Sequence, residues 1–295
     1  LRDFMVVNVT KIIDGKAFAD NLCESLKDEI VQLKMDYKLE PAIAVVLVGD
    51  DPASHVYVRN KVKRCKQLGI KSIEHRLDSS TSEIELLGLI NSLNDDSSIH
   101  GILVQLPLPN QINSKVVLET ILPTKDVDGF HIQNVGALTV GENQLVPCTP
   151  LGSLMLLQDH LGDLTGKHAV VIGRSNIVGK PMALLLLQKN CTVTVVHSKT
   201  QNIIELCKQA DIIIAAVGRP SFVKDDWVKE GAVVIDVGIN RIEKDGKSIL
   251  VGDVDFDQVK SKVSAITPVP GGVGPMTIAC LMHNTVTAAK NQSGV

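Results

Sequence analysis

An α/β architecture of two domains is predicted by three features of the sequence. Short, β-branched apolar runs that end in glycine or proline (PAIAVVLVG at 41–49, GILVQLPLP at 101–109, HAVVIG at 168–173, AVVIDVGIN at 232–240) have the length and composition of strands buried on both faces. Segments of helical length alternate with them, the order that gives parallel sheets with right-handed crossovers. Aromatic residues make up only 3% of the chain, so Leu, Ile and Val must fill the cores, as they do in helix-covered parallel sheets. At 295 residues and 44% hydrophobic content there is material for two cores.

The elements follow in order. Residues 14–37 carry apolar positions at helical spacing (Phe18, Leu22, Leu26, Ile30, Leu33) and read as an amphipathic helix. Strand 41–49 leads into a helix over 52–68, with Asp51 as N-cap, Pro52 at its first position and Gly69 closing it. A strand at 70–77, a helix at 82–93 started by Thr81, and a strand at 101–106 complete a βαβαβ outline. Pro107 and Pro109 then take the chain out of the sheet. A helix near 113–122 precedes KDVDGFHIQNVG, which reads as a polar binding loop, and a helix over 151–161 crosses to the second domain. There the strands are 168–173, 192–197, 211–218 and 232–240, with a helix of ill-defined start within RSNIVGKPMALLLLQKN, another at 202–210 and a short one at Trp227. The last region, from ITPVPGGVGPMT through an apolar helix, is expected to return to the first domain. The expected domains are therefore 1–148 completed by 275–295, and 149–274.

Composition removes several function classes. The 30 basic and 33 acidic residues give a net charge of -3 without long blocks, so neither nucleic acid nor an anionic membrane is an expected partner. No apolar run approaches the roughly twenty residues of a membrane span, and LRDFMVVNVTKIIDG lacks a signal-peptide pattern, so the expected location is the cytoplasm. The six cysteines form no C-x-x-C pair and no Cys/His cluster, and no metal is expected. Cys148 and Cys280 read as packing residues, and His131 and His197 as hydrogen-bonded rather than metal-ligating.

Two stretches carry chemistry. In DDPASHVYVRNK, Ser54, Tyr57 and Lys61 fall at spacings of three and four, along one helix face at the carboxyl edge of a strand, where α/β sheets bind ligands. Gln105 ends another strand at the same edge, and Asp128 sits in the following loop. A Tyr and a Lys four apart are by themselves most often a solvated face; the company of Gln105 and Asp128 reverses that preference. In GRSNIVGK, Gly173 and Gly179 flank a strand-to-helix turn that lets backbone N–H groups approach a pyrophosphate. Five residues separate the glycines and Pro181 stands where a phosphate loop needs Ser or Thr, which excludes a Walker loop. The next strand ends in His197, Ser198 and Lys199, where an NAD site would carry a carboxylate, and Arg174 faces the same region. An Arg fork and a hydroxyl suit a 2′-phosphate, so NADP is the expected cofactor.

Taken together, SHVYVRNK, GILVQLPLP, DVDGFH, GRSNIVGKPMA, HSKT, DVGIN, GDVDF and TPVPGGVGPMT closely resemble the bifunctional methylenetetrahydrofolate dehydrogenase/cyclohydrolase family over nearly the whole chain. The resemblance implies a folate-binding catalytic domain and a Rossmann-like NADP-binding domain with a cleft between them. It implies NADP-dependent oxidation of 5,10-methylenetetrahydrofolate, hydrolysis of the methenyl product to 10-formyltetrahydrofolate, a part in one-carbon and purine metabolism, and a homodimer formed through the second domain. Lys61 would be the catalytic lysine, with Tyr57, Gln105 and Asp128 as catalytic partners. Ser54, Val104, Leu106, Pro107, Gly271, Gly272 and Pro275 would help bind the folate derivative. Gly173, Arg174, Ser175, Ile177, His197, Ser198, Gly218, Gly238, Ile239 and Asn240 would bind NADP. Gly271 to Pro275, including Val273 and Gly274, match the family's closing loop. The rival readings are another NADP-dependent dehydrogenase and a non-enzymatic NADP-responsive protein. A short-chain dehydrogenase also uses Tyr-x-x-x-Lys, but places it after the nucleotide fold rather than before it.

Overall fold

The computed structural model describes residues 10–142 and 145–295. The start of the chain read above for a targeting pattern lies, up to residue 9, outside the described residues. In chain order the elements are β1 (Lys11–Ile12), α1 (Gly15–Tyr37), β2 (Ala42–Val48), α2 (Pro52–Leu68), β3 (Lys71–Leu77), α3 (Glu83–Asp95), β4 (Gly101–Val104), α4 (Ser114–Thr120), α5 (Ile132–Val140) and α6 (Cys148–Leu161). There follow β5 (His168–Ile172), α7 (Gly179–Gln188), β6 (Thr192–Val196), α8 (Ile203–Cys207), β7 (Ile212–Ala215), β8 (Val233–Asp236), β9 (Asn240–Lys244), β10 (Lys247–Val251), α9 (Phe256–Val259), β11 (Ala265–Ile266) and α10 (Val273–Ser293). A single 3-10 turn at Asp225–Trp227 precedes β8.

The described residues divide into two compact units. One holds Ala19–Cys148 with Thr277–Val295, the other Thr149–Met276 with the residues up to Phe18. The first is built on a three-stranded parallel sheet in the order β3-β2-β4. Central β2, AIAVVLV, is buried at every position, as a strand covered on both faces requires. Leu86, Ile90 and Leu93 of α3 and Val117 of α4 pack with Ala44, Val46, Ile102 and Val104 of the sheet. Helix α2 begins and ends as its sequence demands: the Asp51 carboxylate accepts the N–H of Ser54 at 2.7 Å, Pro52 occupies the first turn, and Gly69 closes the helix at φ 79°.

The second unit is a six-stranded parallel sheet in the order β1-β11-β8-β7-β5-β6, with an antiparallel β9/β10 hairpin beside it. Its core joins Val170, Ile172, Ile213, Ala215 and Val234 of the strands to Trp227, Val228, Val259 and Val263. Because β6 and β7 lie on opposite sides of β5, the chain reverses direction across the sheet there. The crevice beyond the carboxyl ends of β5 and β7 is the place where doubly wound sheets bind ligands.

The structure corrects several expectations. Residues 10–18 group with the second unit rather than the first, because β1 pairs in parallel with β11 and Thr10 Oγ1 donates to Val263 O at 2.8 Å. Ser82, not Thr81, starts α3: its Oγ accepts the Glu85 N–H while Glu85 accepts the Ser82 N–H, a reciprocal capping box. The expected loop at 125–136 contains the start of α5, capped by His131, whose Nδ1 accepts the Gln133 N–H. The strand expected over 232–240 ends at Asp236, and β9 begins anew at Asn240.

Candidate functional site

Lys61 stands on α2 one turn after Tyr57, and is only 8% exposed although it is a lysine. Its Nζ donates to Gln105 Oε1 at 3.0 Å. Gln105 follows the last residue of β4, where its N–H still bonds Val46 O at 2.9 Å, so the sheet fixes its backbone. Its side-chain orientation is fixed too, since Nε2 donates to Leu106 O at 2.7 Å and leaves Oε1 to accept from the ammonium. Val104 is buried in β4, while Leu106 and Pro107 lie on the way out of the sheet across a cis peptide bond. Tyr57 is 37% exposed, and burial of the rest of its ring raises its phenol pKa. Ser54 is almost wholly buried beside the Asp51 cap.

Asp128 completes this group. Its carboxyl is pushed up to about 6, chiefly by burial and further by the Asp126 carboxylate, while the Lys61 ammonium acts in the opposite direction. Asp128 keeps some solvent contact, whereas Asp126 is 1% exposed. Asp126 Oδ2 accepts the His131 N–H at 2.7 Å and the Asn134 amide at 2.9 Å, which makes it a brace for the loop. Gly129 allows the close turn: a Cβ there would lie 2.6 Å from Pro147 N.

One residue that sequence reasoning missed is Asn284, buried in α10. Its Nδ2 donates to Val127 O at 2.9 Å and to Val146 O at 2.8 Å, fixing the strand of backbone that carries Asp128. The only signal for it in the sequence is a lone Asn in the apolar run of that helix.

In the second unit Gly173 follows β5 at φ 120°, and a Cβ there would meet Ala216 O at 2.2 Å. A Cβ on Gly179 would meet Gly173 O at 2.3 Å, so both glycines are needed for the turn to close. Ser175 Oγ accepts the N–H groups of Val178 and Gly179 at 3.1 and 3.3 Å, supplying the start of α7 that was ill-defined in the sequence. Parallel pairing of Ile172 with Val196 brings the Arg174 loop and the turn after β6 to neighbouring strand ends. That turn is closed by its own bonds, His197 N–H to Thr200 Oγ1 at 2.9 Å and Lys199 N–H to His197 Nδ1 at 3.2 Å. Arg174, Ile177, Ser198 and Lys199 are exposed, and no carboxylate stands at the end of β6. Gly218 follows β7 at φ 64°, Gly238 and Ile239 lie between β8 and β9, and Asn240 opens β9. The glycine cradle and this cationic, hydroxyl-bearing turn fit a phosphorylated dinucleotide.

Gly271, Gly272 and Pro275 belong to this second unit, not to the one that carries Lys61. Gly271 O accepts the Lys16 N–H at 2.9 Å, and Val273, Gly274 and Pro275 form the first turn of α10 rather than a loop. Among the described residues no group of three or more His, Cys, Asp or Glu side chains is placed to hold a metal ion, and no helix is long and apolar enough to cross a membrane.

Two family models account for nearly all of the chain: the catalytic domain of tetrahydrofolate dehydrogenase/cyclohydrolase matches residues 13–128, and the NAD(P)-binding domain of the same family matches residues 147–293. The chain belongs to the tetrahydrofolate dehydrogenase/cyclohydrolase family. Members similar to it include bifunctional protein FolD 2 of Ectopseudomonas mendocina, 63% identical over 96% of this chain and 93% of that one. Bifunctional protein FolD of Cereibacter sphaeroides is 59% identical over 97% and 96%. The crystal structure of the bifunctional enzyme from Campylobacter jejuni superposes with a TM-score of 0.92 at 53% identity, covering 96% of this chain and 99% of that one. The Trypanosoma brucei enzyme, solved with NADP cofactor and inhibitor, gives 0.92 at 38% identity, covering 96% and 98%. This family member is thus a bifunctional dehydrogenase/cyclohydrolase of folate one-carbon metabolism, with an NAD(P)-binding domain in its second unit.

Proposed function

We propose that the chain oxidises 5,10-methylenetetrahydrofolate with NADP and hydrolyses the resulting methenyl cation to 10-formyltetrahydrofolate, with Lys61 as its proton carrier. The observation that carries this reading is a lysine only 8% exposed whose ammonium is held at 3.0 Å by an uncharged amide instead of a carboxylate. A carboxylate partner would fix the lysine's charge; an amide holds its position and leaves its proton mobile.

NADP, when bound, accepts the hydride from the carbon bridging N5 and N10. The chain's own part in that step is orientation. Tyr57 presents a ring for the folate to stack on, and Ser54, Val104, Leu106 and Pro107 shape the pocket around it. The Asp128 carboxylate accepts two hydrogen bonds from the amino-pyrimidine edge of the pterin. By the match to the family's closing loop, Gly271, Gly272 and Pro275 are further folate-binding residues.

In the hydrolytic step water adds to the cationic methenyl carbon and its bond to N5 breaks. One water proton passes by way of Lys61 Nζ to N5 and the other is released, which balances the conversion of a cation and water to a neutral formyl product and a proton. The preference for NADP over NAD rests on Arg174, Ser198 and Lys199, which suit a 2′-phosphate where a carboxylate would repel it. Gly173, Ser175, Ile177, His197, Gly218, Gly238, Ile239 and Asn240 line the remainder of that site. The family resemblance also supports a homodimer formed through the second unit and a place in the cytoplasm; sedimentation of the purified chain checks the former.

Lys61→Met is the direct test. It should abolish hydrolysis of the methenyl substrate while NADP binding, followed by quenching of the single tryptophan, persists. Hydrolysis at the wild-type rate would remove Lys61 from the role.

A further inference from the structure

Asp236 and Asp253 are buried carboxylates of the second unit. Asp253 is fully buried and accepts four hydrogen bonds, all from uncharged donors. Its Oδ2 takes the backbone N–H groups of Val217 and Gly218 at 2.6 and 2.9 Å, and its Oδ1 takes the Arg219 N–H and the Asn240 side-chain amide, both at 2.9 Å. One side chain therefore ties the turn after β7 to the start of β9. Asp236, 3% exposed, stands under it. Its Oδ1 accepts the N–H groups of Gly238 and of Asp253 itself at 3.0 and 2.9 Å, and its Oδ2 accepts the Val254 N–H at 2.9 Å.

The glycines around them are cut to fit. A Cβ on Gly238 would lie 2.2 Å from Asp253 Oδ1, and one on Gly252 would lie 1.8 Å from Asp236 Oδ2. Burying a carboxylate is costly unless several donors converge on it, so the two loops must hold this one geometry for the charge to be tolerated. Loops already held in a binding geometry spare the ligand the entropy of ordering them.

We propose that Asp253, seated on Asp236, is a positioning residue for the dehydrogenase reaction: it presets the 217–219 turn and Asn240 in the shape that receives the nicotinamide cofactor. This rests on the reading that Gly218 and residues 238–240 line the cofactor site. Hydrolysis of the methenyl substrate consumes no NADP and uses Lys61 of the other unit, so it separates positioning from general damage.

Asp253→Asn keeps the size of the side chain but turns an NH2 group against two of the four donors. KM for NADP should rise on the order of tenfold or more, since hydrogen bonds to a charged group are lost. Cyclohydrolase activity assayed without NADP should stay within about twofold of wild type. A parallel fall of both activities, or an unchanged KM for NADP, would overturn the proposal. Amide hydrogen exchange of the wild-type protein supplies the second measurement and decides the matter if the variant does not fold. The amides of Val217, Gly218, Arg219 and Gly238 should exchange slowly before NADP is added; fast exchange that slows only with NADP would sink the idea of a preset loop. NADP that perturbs exchange at residues 173–177 but not at 218 and 238–240 would instead overturn the cofactor reading of those loops.

Discussion

In the proposed mechanism Lys61 carries protons, and it is held by a neighbour whose own orientation is determined. Gln105 could present either end of its amide, but its Nε2 is committed to Leu106 O, so the oxygen faces the ammonium. Gln105→Glu replaces that oxygen with a charged partner. It should slow hydrolysis by on the order of tenfold or more, the scale of general acid–base catalysis, with KM for NADP unchanged; the two steady-state assays check this. Asp128 makes a separate, pH-dependent prediction. Its carboxyl is raised to about 6 by burial and by Asp126, against the pull of the Lys61 ammonium, so it protonates as pH falls through that value. A protonated carboxyl loses one of its two acceptor positions for the pterin edge. kcat/KM for the folate substrate should therefore fall on the acid side with a midpoint near 6, and Asp128→Asn should lower the plateau and remove that limb. An acid limb that survives the substitution assigns the titration elsewhere. The positions of Lys61 and Gln105 could be read from the sequence because Lys61 lies on the helix that follows β2 and Gln105 directly follows β4, whereas Asp128, in the loop between α4 and α5, was marked only by the polar, Gly-punctuated run around it. Asn284 was not legible, since its contact with Val127 joins residues 157 positions apart.

At the scale of elements, the starts and stops that carry local chemistry were the most legible. Asp51, Pro52 and Gly69 bound α2 in the structure as they do in the sequence, because cap and turn residues act within a few positions of themselves. Helix α5 escaped because its cap is His131, a residue type that rarely signals a helix start, and because GFHIQN reads as a polar loop. The β9/β10 hairpin escaped because its strands, NRIEK and KSILV, lie largely exposed and carry little apolar pattern. Helix α10 bears the strongest element-scale prediction. Asn284→Ala leaves the carbonyls of Val127 and Val146 buried without that donor, and should cost about 1–3 kcal/mol of stability in urea unfolding. Because the same bonds hold the backbone beside Asp128, KM for the folate substrate should rise as well. A stability loss with an unchanged KM would confine Asn284 to the fold.

Over the whole molecule, the boundary after Cys148 was visible as the PCTPLG linker, but the passage of the chain's first strand into the second unit was not. A two-residue strand such as β1 has too little pattern to announce its partner, and β11, equally short, lies more than 250 positions away. Under the proposed function the division into units also separates the chemistry, with proton handling on α2, β4 and the Asp128 loop of one unit and cofactor binding at the carboxyl ends of β5 to β8 in the other. Arg174→Ala should accordingly raise KM for NADP by on the order of tenfold, the loss of one charge-assisted contact, and leave NAD and the cyclohydrolase reaction little changed. The measurement that bears most directly on the account is a single incubation of the purified protein with 5,10-methylenetetrahydrofolate and either NADP or NAD, following reduced nicotinamide and 10-formyltetrahydrofolate together. Both products should form with NADP, in equal amounts at completion, and turnover with NAD should be much slower. Absence of reduced nicotinamide with NADP, or of formyl product when reduced nicotinamide forms, would contradict it.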